Sequence, residues 1–310
     1  AALGRRGTEA SALAVFIGLA LPDLAAYARP FLPFTVAVLL CLTLLVIEPA
    51  RLFAAARRPV PVLAAALIMV VLTPAIITGV AIVFADRLGP GLTLGLFIFA
   101  FAPPTAGAAA FAVLMRLDGA PSLAIQLLLT VASPLLVPTL AWGVFGVDMP
   151  IAPEDLAIRL LFIVGPAVAL AVLIRRKLGR ETIRAKREVF TGLFIPPLAL
   201  FAVGSMDGML GRILAEPVGM AIILTIAFGL ALGSILVATV LLWPFGKSNA
   251  LALGFSAGNR NLGLIVGALT GIIPDDTWAY FALAQFPIYG LPFLLRPVYR
   301  RFAASGEAGG

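Results

Sequence analysis

Apolar residues arrive in long runs, each close to the roughly 20 residues of helix that cross an ~30 Å hydrocarbon core. Charges, prolines and glycines separate the runs. They delimit ten apolar spans: residues 10–27, 32–50, 60–85, 91–115, 121–146, 157–175, 189–206, 213–243, 247–271 and 277–298. The pattern predicts an all-α polytopic membrane protein with ten transmembrane helices. The first span is the weakest, because Pro22 and Asp23 shorten its apolar part. Arg5 and Arg6 precede it as in a signal peptide, but no A-x-A cleavage pattern follows, so it reads as the first transmembrane helix.

An acidic, proline-containing stretch from Asp148 to Asp155 falls at the middle of the chain. It divides residues 1–150 from residues 151–310, with five spans in each half. Five is odd, so the halves insert with opposite orientation, as in the inverted repeats of many secondary transporters. The fourth span of each half is the irregular one. In the first it carries Pro103, Pro104 and Gly107; in the second it carries Gly254, Gly258 and Gly263. Proline removes an amide and clashes with the preceding turn, and glycine weakens a helix. Interrupted helices in corresponding positions of two halves point to a transport site.

The charges orient this arrangement. Most of the 22 basic residues fall on the side that holds both termini: Arg5, Arg6, Arg51, Arg57, Arg58, Arg116, the run Arg175–Arg187, Lys247, Arg296, Arg300 and Arg301. By the positive-inside rule both termini are cytoplasmic. The Arg175–Arg187 run reads as a solvated loop near anionic lipid. The chain is 62% hydrophobic and 12% charged, against about 25% charged in soluble domains. Its formal net charge of +7 therefore reflects membrane topology and gives no sign of a nucleic-acid partner.

Chemistry is sparse. Histidine is absent and Cys41 is the one cysteine, which excludes intrachain disulfides, Cys/His zinc sites, c-type haem and H-E-x-x-H proteases. Neither G-x-S-x-G nor a P-loop occurs. The sequence implies no enzyme, no catalytic residue, no bound metal and no cofactor.

Against that background Arg260 stands out. It is the sole charge between Lys247 and Asp275, within Gly254-Phe255-Ser256-Ala257-Gly258-Asn259-Arg260-Asn261-Leu262-Gly263. A guanidinium at membrane depth costs about 2.5–3.5 kcal/mol even on the lenient insertion scale. Ser256, Asn259 and Asn261 surround it, and a break exposes backbone amides that favour anions. Packing alone would explain glycines and prolines, but a packing kink needs no arginine. On the fifth span Ser122, Gln126 and Thr130 recur at helical spacing, forming a polar face that lines a cavity or bonds to neighbouring helices. Ser133, Pro134 and Pro138 follow. Gln285 is a similar but isolated polar residue. Asp207 reads as an interfacial cap, with pairing to Arg260 as the alternative.

The stretches Pro103-Pro104-Thr105-Ala106, Ser133-Pro134-Leu135-Leu136-Val137-Pro138 and Gly258-Asn259-Arg260-Asn261-Leu262-Gly263-Leu264 together resemble the bile acid:sodium symporter family. There the corresponding stretches read P-G-G-T-A-S-N, S-P-L-L-T-P and E-x-G-x-Q-N-x-G-L. The resemblance implies ten helices, core and panel helix groups, crossed broken helices four and nine, and a substrate cavity beside the crossing. The sodium-site positions depart from the family. A Ser-Asn pair falls on Gly107 and Ala108, a Ser and a Thr on Ser122 and Gln126, a Glu on Ser256, a Gln on Arg260, and a span-three Gln on Met69. Sodium, a hard cation, wants oxygen ligands, and most of these are missing.

These readings lead to a secondary active or facilitative transporter of a small organic anion in a bacterial inner membrane. Thr105, Ser122, Gln126, Ser256, Asn259, Arg260 and Asn261 are the candidate substrate or ion contacts, with Pro103, Pro104, Gly107 and Gly258 at the breaks. Arg260 either replaces a bound sodium electrostatically, holds the anion's carboxylate or sulfonate, or does both. The alternatives are sodium symport through backbone carbonyls with Ser122, Gln126, Asn259 and Asn261, and a receptor or scaffold without transport. Membrane lipid is the other expected partner, and a monomer is compatible with the pattern.

Overall fold

The computed structural model describes residues 13–47, 57, 59–147 and 149–304. Arg5, Arg6, Arg51, Arg58 and Asp148 lie outside the described residues, as do the start of the first expected span and the end of the second.

All the named elements are helical. In chain order they are α1 (13–20), α2 (Pro22–Val46), α3 (Pro59–Val83), α4 (Ala85–Phe101), α5 (Ala106–Leu114), α6 (Ala120–Val144), α7 (Pro153–Ala185), α8 (Arg187–Ala215), α9 (Pro217–Phe245), α10 (Lys247–Gly258), α11 (Leu262–Ala268), α12 (Asp275–Leu294) and α13 (Arg296–Ala304). Among the described residues, seven stretches are long and apolar enough to cross a membrane: α2, α3, α6, α7, α8, α9, and α12 continued into α13.

Their outer faces fit lipid and not water. Leu135, Phe162 and Leu236 are 75%, 75% and 64% exposed, with Leu161, Leu170, Ile222 and Val240 exposed beside them. A soluble monomer rarely shows apolar patches on this scale. Inside a bilayer such faces carry no penalty, and backbone polarity is satisfied within each helix.

Several boundaries moved from the sequence reading. Leu21 (φ −124°, ψ 77°) leaves helical geometry, because a residue before proline is pushed out of the α region. The turn therefore sits at Leu21, and Pro22–Ala28 opens the second helix instead of closing the first. Glu216 before Pro217 repeats this device between α8 and α9. The basic run is not a loop as far as Ala185: α7 continues through it, bending where Gly179 takes φ 75°. Arg, Lys and Glu are good helix formers, so a charged segment can extend a span beyond the lipid.

Arg175 has a job in that extension. Its Nη2 donates to the carbonyls of Leu44, Leu45 and Ile47 at 2.9, 2.9 and 2.6 Å. These acceptors close α2, whose last carbonyls have no helical amide to accept from. Arg175→Ala is expected to cost about 1.5–3 kcal/mol, the usual worth of a hydrogen bond to a charged donor. Thermal denaturation of the purified variant checks this, and Arg176→Ala, whose residue is exposed, serves as the neutral control.

The broken helices lie at the centre. Every residue from Ala250 to Leu269 is buried except Asn261, which is half-buried. On α9 a stripe of Ala227, Ala231, Ile235, Ala238 and Leu242 is buried, and α10 lies against it. Gly254 and Gly258, one turn apart, make the approach close: a Cβ on Gly258 would sit 2.5 Å from Ile235 Cγ1 and collide with the Ala231 carbonyl. Small residues repeating every fourth position are how membrane helices gain van der Waals contact without a hydrophobic driving force.

Candidate functional site

The first break follows directly from its prolines. Ala102, before Pro103, is extended (φ −65°, ψ 138°), and Thr105 is extended as well (φ −77°, ψ 155°). The helix stops at Phe101 and restarts at Ala106. Because Pro103 and Pro104 have no N–H, the carbonyls of Phe99 and Ala100 lose their helical donors. The second break contains no proline. Asn259 (φ −103°, ψ 84°) and Asn261 (φ −85°, ψ 73°) leave helical geometry on either side of Arg260. Its glycine and asparagines make poor helix, and the cost of opening it is met by partners from the first break.

The two breaks pair antiparallel, as an isolated bridge between Pro104 and Arg260. Thr105 N–H donates to the Asn259 carbonyl at 2.9 Å, and Asn261 N–H to the Pro103 carbonyl at 2.7 Å. In an unbroken helix Asn261 N–H would have bonded the Ala257 carbonyl. That carbonyl instead accepts from Arg260 Nε at 2.6 Å. Arg260 Nη1 donates to the Ala102 carbonyl at 2.8 Å. One guanidinium thus fills an acceptor left open on each side of the junction. Its Nη2 is buried and has no partner, its Cζ lies 6.0 Å from the Phe99 ring centroid, and the residue is 1% exposed.

The other polar side chains follow the same accounting. The Thr105 hydroxyl bonds to Asn259 Oδ1. Asn259 Nδ2 donates to the Ile288 carbonyl at 3.0 Å, an acceptor left free because Pro292, four residues on, has no N–H. The hydroxyls of Ser122 and Ser256 both donate to the Ala252 carbonyl, at 2.9 and 3.0 Å. That carbonyl ties α6 to α10. Ser133 donates to the Thr130 carbonyl at 2.7 Å, which Pro134 has released. Gln126 Oε1 and Thr130 Oγ1 are buried on the same face of α6 with no partner. Gln285 turns to its own helix, bonding the Phe281 carbonyl at 2.9 Å.

The structure therefore brings Thr105, Asn259, Arg260 and the Asn261 backbone together, and joins Ser122 to Ser256 one level away. Gln126 keeps a free oxygen. Gly107 is exposed, and a Cβ there would meet only Thr105 Oγ1 at 3.3 Å. The Thr105 and Asn261 amides, candidates for anion binding, are spent on pairing the breaks.

Asp207 does not reach Arg260. It pairs with Arg29 at 2.8 Å, Arg29 lies 4.0 Å over the Trp278 ring, and Trp278 Nε1 donates to the Asp207 carbonyl at 2.9 Å. This cluster ties α2, the turn within α8 and α12 at one end of the bundle. Arg260 faces no carboxylate among the described residues.

A small cavity adjoins Arg260, leaving about 20 Å³ for the centre of a water-sized sphere. Met69, Ala102, Leu129, Ser133, Val137 and Leu140 contribute to its wall. It has room for about one water or an ion of similar size, and none for an organic anion in this conformation. Ser133 and the Ile288 carbonyl were not among the site residues read from the sequence. Their signals were Pro134 and Pro292, each of which frees a carbonyl four residues earlier.

Fold and site define a helical, membrane-type protein in which two broken helices meet around an unpaired arginine. No protein-family model matches the chain, and no curated protein gives a significant match.

Proposed function

We propose that the chain is a secondary transporter, active or facilitative, that moves an organic anion across a bacterial inner membrane by alternating access, with both termini cytoplasmic. The observation that carries this reading is the Arg260 guanidinium, which joins the Ala257 and Ala102 carbonyls of two broken helices at the centre of the bundle. The seven apolar spans, with the helix at 13–20 and the two broken helices, are compatible with a ten-helix 5+5 inverted repeat and support that reading. Residues 1–150 and 151–310 are its two halves. The family resemblance, with broken helices four and nine crossing between core and panel groups, supports the same arrangement.

Arg260 then does the work of a bound sodium: a fixed positive charge holds the open carbonyls together, and no ion is needed to assemble the site. An anionic cargo follows from the sign of that charge and from the absence of a neighbouring carboxylate among the described residues. The water-sized cavity belongs to a closed conformation, which opens when one helix group rocks against the other.

Uptake of labelled carboxylates and sulfonates into proteoliposomes, with choline replacing sodium, tests this. Flux is expected to persist without sodium. Strict sodium dependence overturns the surrogate-charge reading in favour of sodium symport. That second reading draws support from Gln126 Oε1 and Thr130 Oγ1, buried without a partner, and from the carbonyls of Phe99 and Ala100, whose helical donors the prolines remove. Saturable binding without flux of any anion favours a receptor or scaffold.

A further inference from the structure

Transport does not account for two features of Arg260. Its Nη2 is buried without a partner, and the residue lines a cavity slightly larger than one water needs. The hydrogen bonds Arg260 does make go to neutral carbonyls, which satisfy N–H groups and leave the charge uncompensated. A water molecule in the cavity would satisfy Nη2 and would also leave the charge. An anion does both.

The wall selects among anions. Met69, Leu129, Val137 and Leu140 offer no donor, and Ser133 offers one hydroxyl. Carboxylate, phosphate and sulfate spread charge over several oxygens that each require donors. A monoatomic, singly charged anion requires fewest, and chloride, somewhat larger than water, suits a cavity slightly larger than one water needs. We infer that the cavity between Arg260 and Ser133 is a halide site, occupied by chloride in the closed conformation, where it neutralises the guanidinium while no cargo anion is bound. For chloride to bind, the Ser133 hydroxyl turns from the Thr130 carbonyl toward the ion, and Arg260 Nη2 supplies the charge-assisted donor. The site stands whether or not the protein transports an organic anion.

The purified full-length protein in detergent is titrated with sodium chloride or sodium bromide against sodium gluconate at constant ionic strength. Chloride and bromide are each expected to raise Tm saturably, by roughly 5 °C when ligand is about a hundredfold above Kd. Gluconate is too large to enter and should not. Ser133→Ala, which keeps the arginine, is expected to shift the chloride midpoint upward by roughly three- to tenfold through the lost donor. Val137→Phe fills the cavity and should remove the response. Crystals soaked in bromide are expected to show an anomalous peak beside Nη2. Equal Tm in chloride and gluconate, or a halide response unchanged in both variants, overturns the proposal and leaves a water-filled cavity. Because no flux is measured, either result is independent of the transport experiment.

Discussion

Arg260→Leu is expected to abolish uptake while costing no more than about 3.5 kcal/mol of stability, because two opposing terms largely cancel. The buried carbonyls of Ala257 and Ala102 lose their donor, at about 1–3 kcal/mol each. The same change removes a charge that costs about 2.5–3.5 kcal/mol at membrane depth. Replacing buried charge with apolar volume is often close to neutral in just this way. Function has no such compensation. Without the guanidinium the junction of the two breaks keeps its two backbone hydrogen bonds and the Thr105–Asn259 side-chain bond, and the positive charge that stands in for a cation is gone. Arg260→Gln retains a donor and adds an oxygen, so any activity it keeps is expected to rise with sodium. Uptake per folded protein, with thermal denaturation of the same preparations, separates the two effects. Undiminished uptake by both variants at every pH would rule out Arg260 as either a sodium surrogate or an anion ligand.

Gly258→Ala carries the largest expected effect on folding. The new methyl would overlap the Ala231 carbonyl, lie 2.5 Å from Ile235 Cγ1 and 3.0 Å from the Ala231 carbonyl carbon. Backbone is what it meets first, so α9 and α10 must separate. Overpacking typically costs about 1–3 kcal/mol, and collision with a rigid helix backbone places this change at or above the upper end. Gly107→Ala is the informative contrast. That glycine is exposed, opens α5, and would put its methyl 3.3 Å from the Thr105 hydroxyl alone. Alanine's better helix propensity, worth about 0.8–1 kcal/mol in a helix interior, is expected to offset that contact or exceed it. Melting temperature and yield of monodisperse protein in detergent report both. A Gly258→Ala protein as stable as the parent would contradict the close α9–α10 approach.

The two glycines looked alike in the sequence, since each sat in an irregular span. Composition marks a residue as permissive without saying what lies opposite it. The same limit applied to Asp207. Its position near a span end was legible, whereas its partner Arg29 is 178 residues away in the chain and depends on how α2 meets α8. Gln126 was recognised as a buried polar residue from its helical spacing with Ser122 and Thr130. That Ser122 would share the Ala252 carbonyl with Ser256 while Gln126 kept a bare oxygen was decided by the seating of α6 on α10.

Local signals had the opposite character. The first break was certain from Pro103 and Pro104, and Pro22 and Pro217 displaced turns by rules that act between adjacent residues. The misplaced end of the first span came from weighing apolar content above that rule. Charge did not mark the end of α7, which runs on through its arginines because helix propensity does not end where the hydrocarbon does.

By itself the sequence determined a helical, membrane-type chain, the placing of its apolar spans, the two interruptions, and an arginine with no charged neighbour along the chain. All of these depend on hydrophobic length, missing amides and residue type, which act over a few residues. Only the tertiary structure decided that the interruptions pair with each other, that Arg260 closes them by bonding a carbonyl 158 residues away, and that the residue keeps one unpartnered nitrogen and lines a water-sized cavity. Those outcomes turn on which backbone acceptors are left open where distant segments meet, and that is settled when the helices pack.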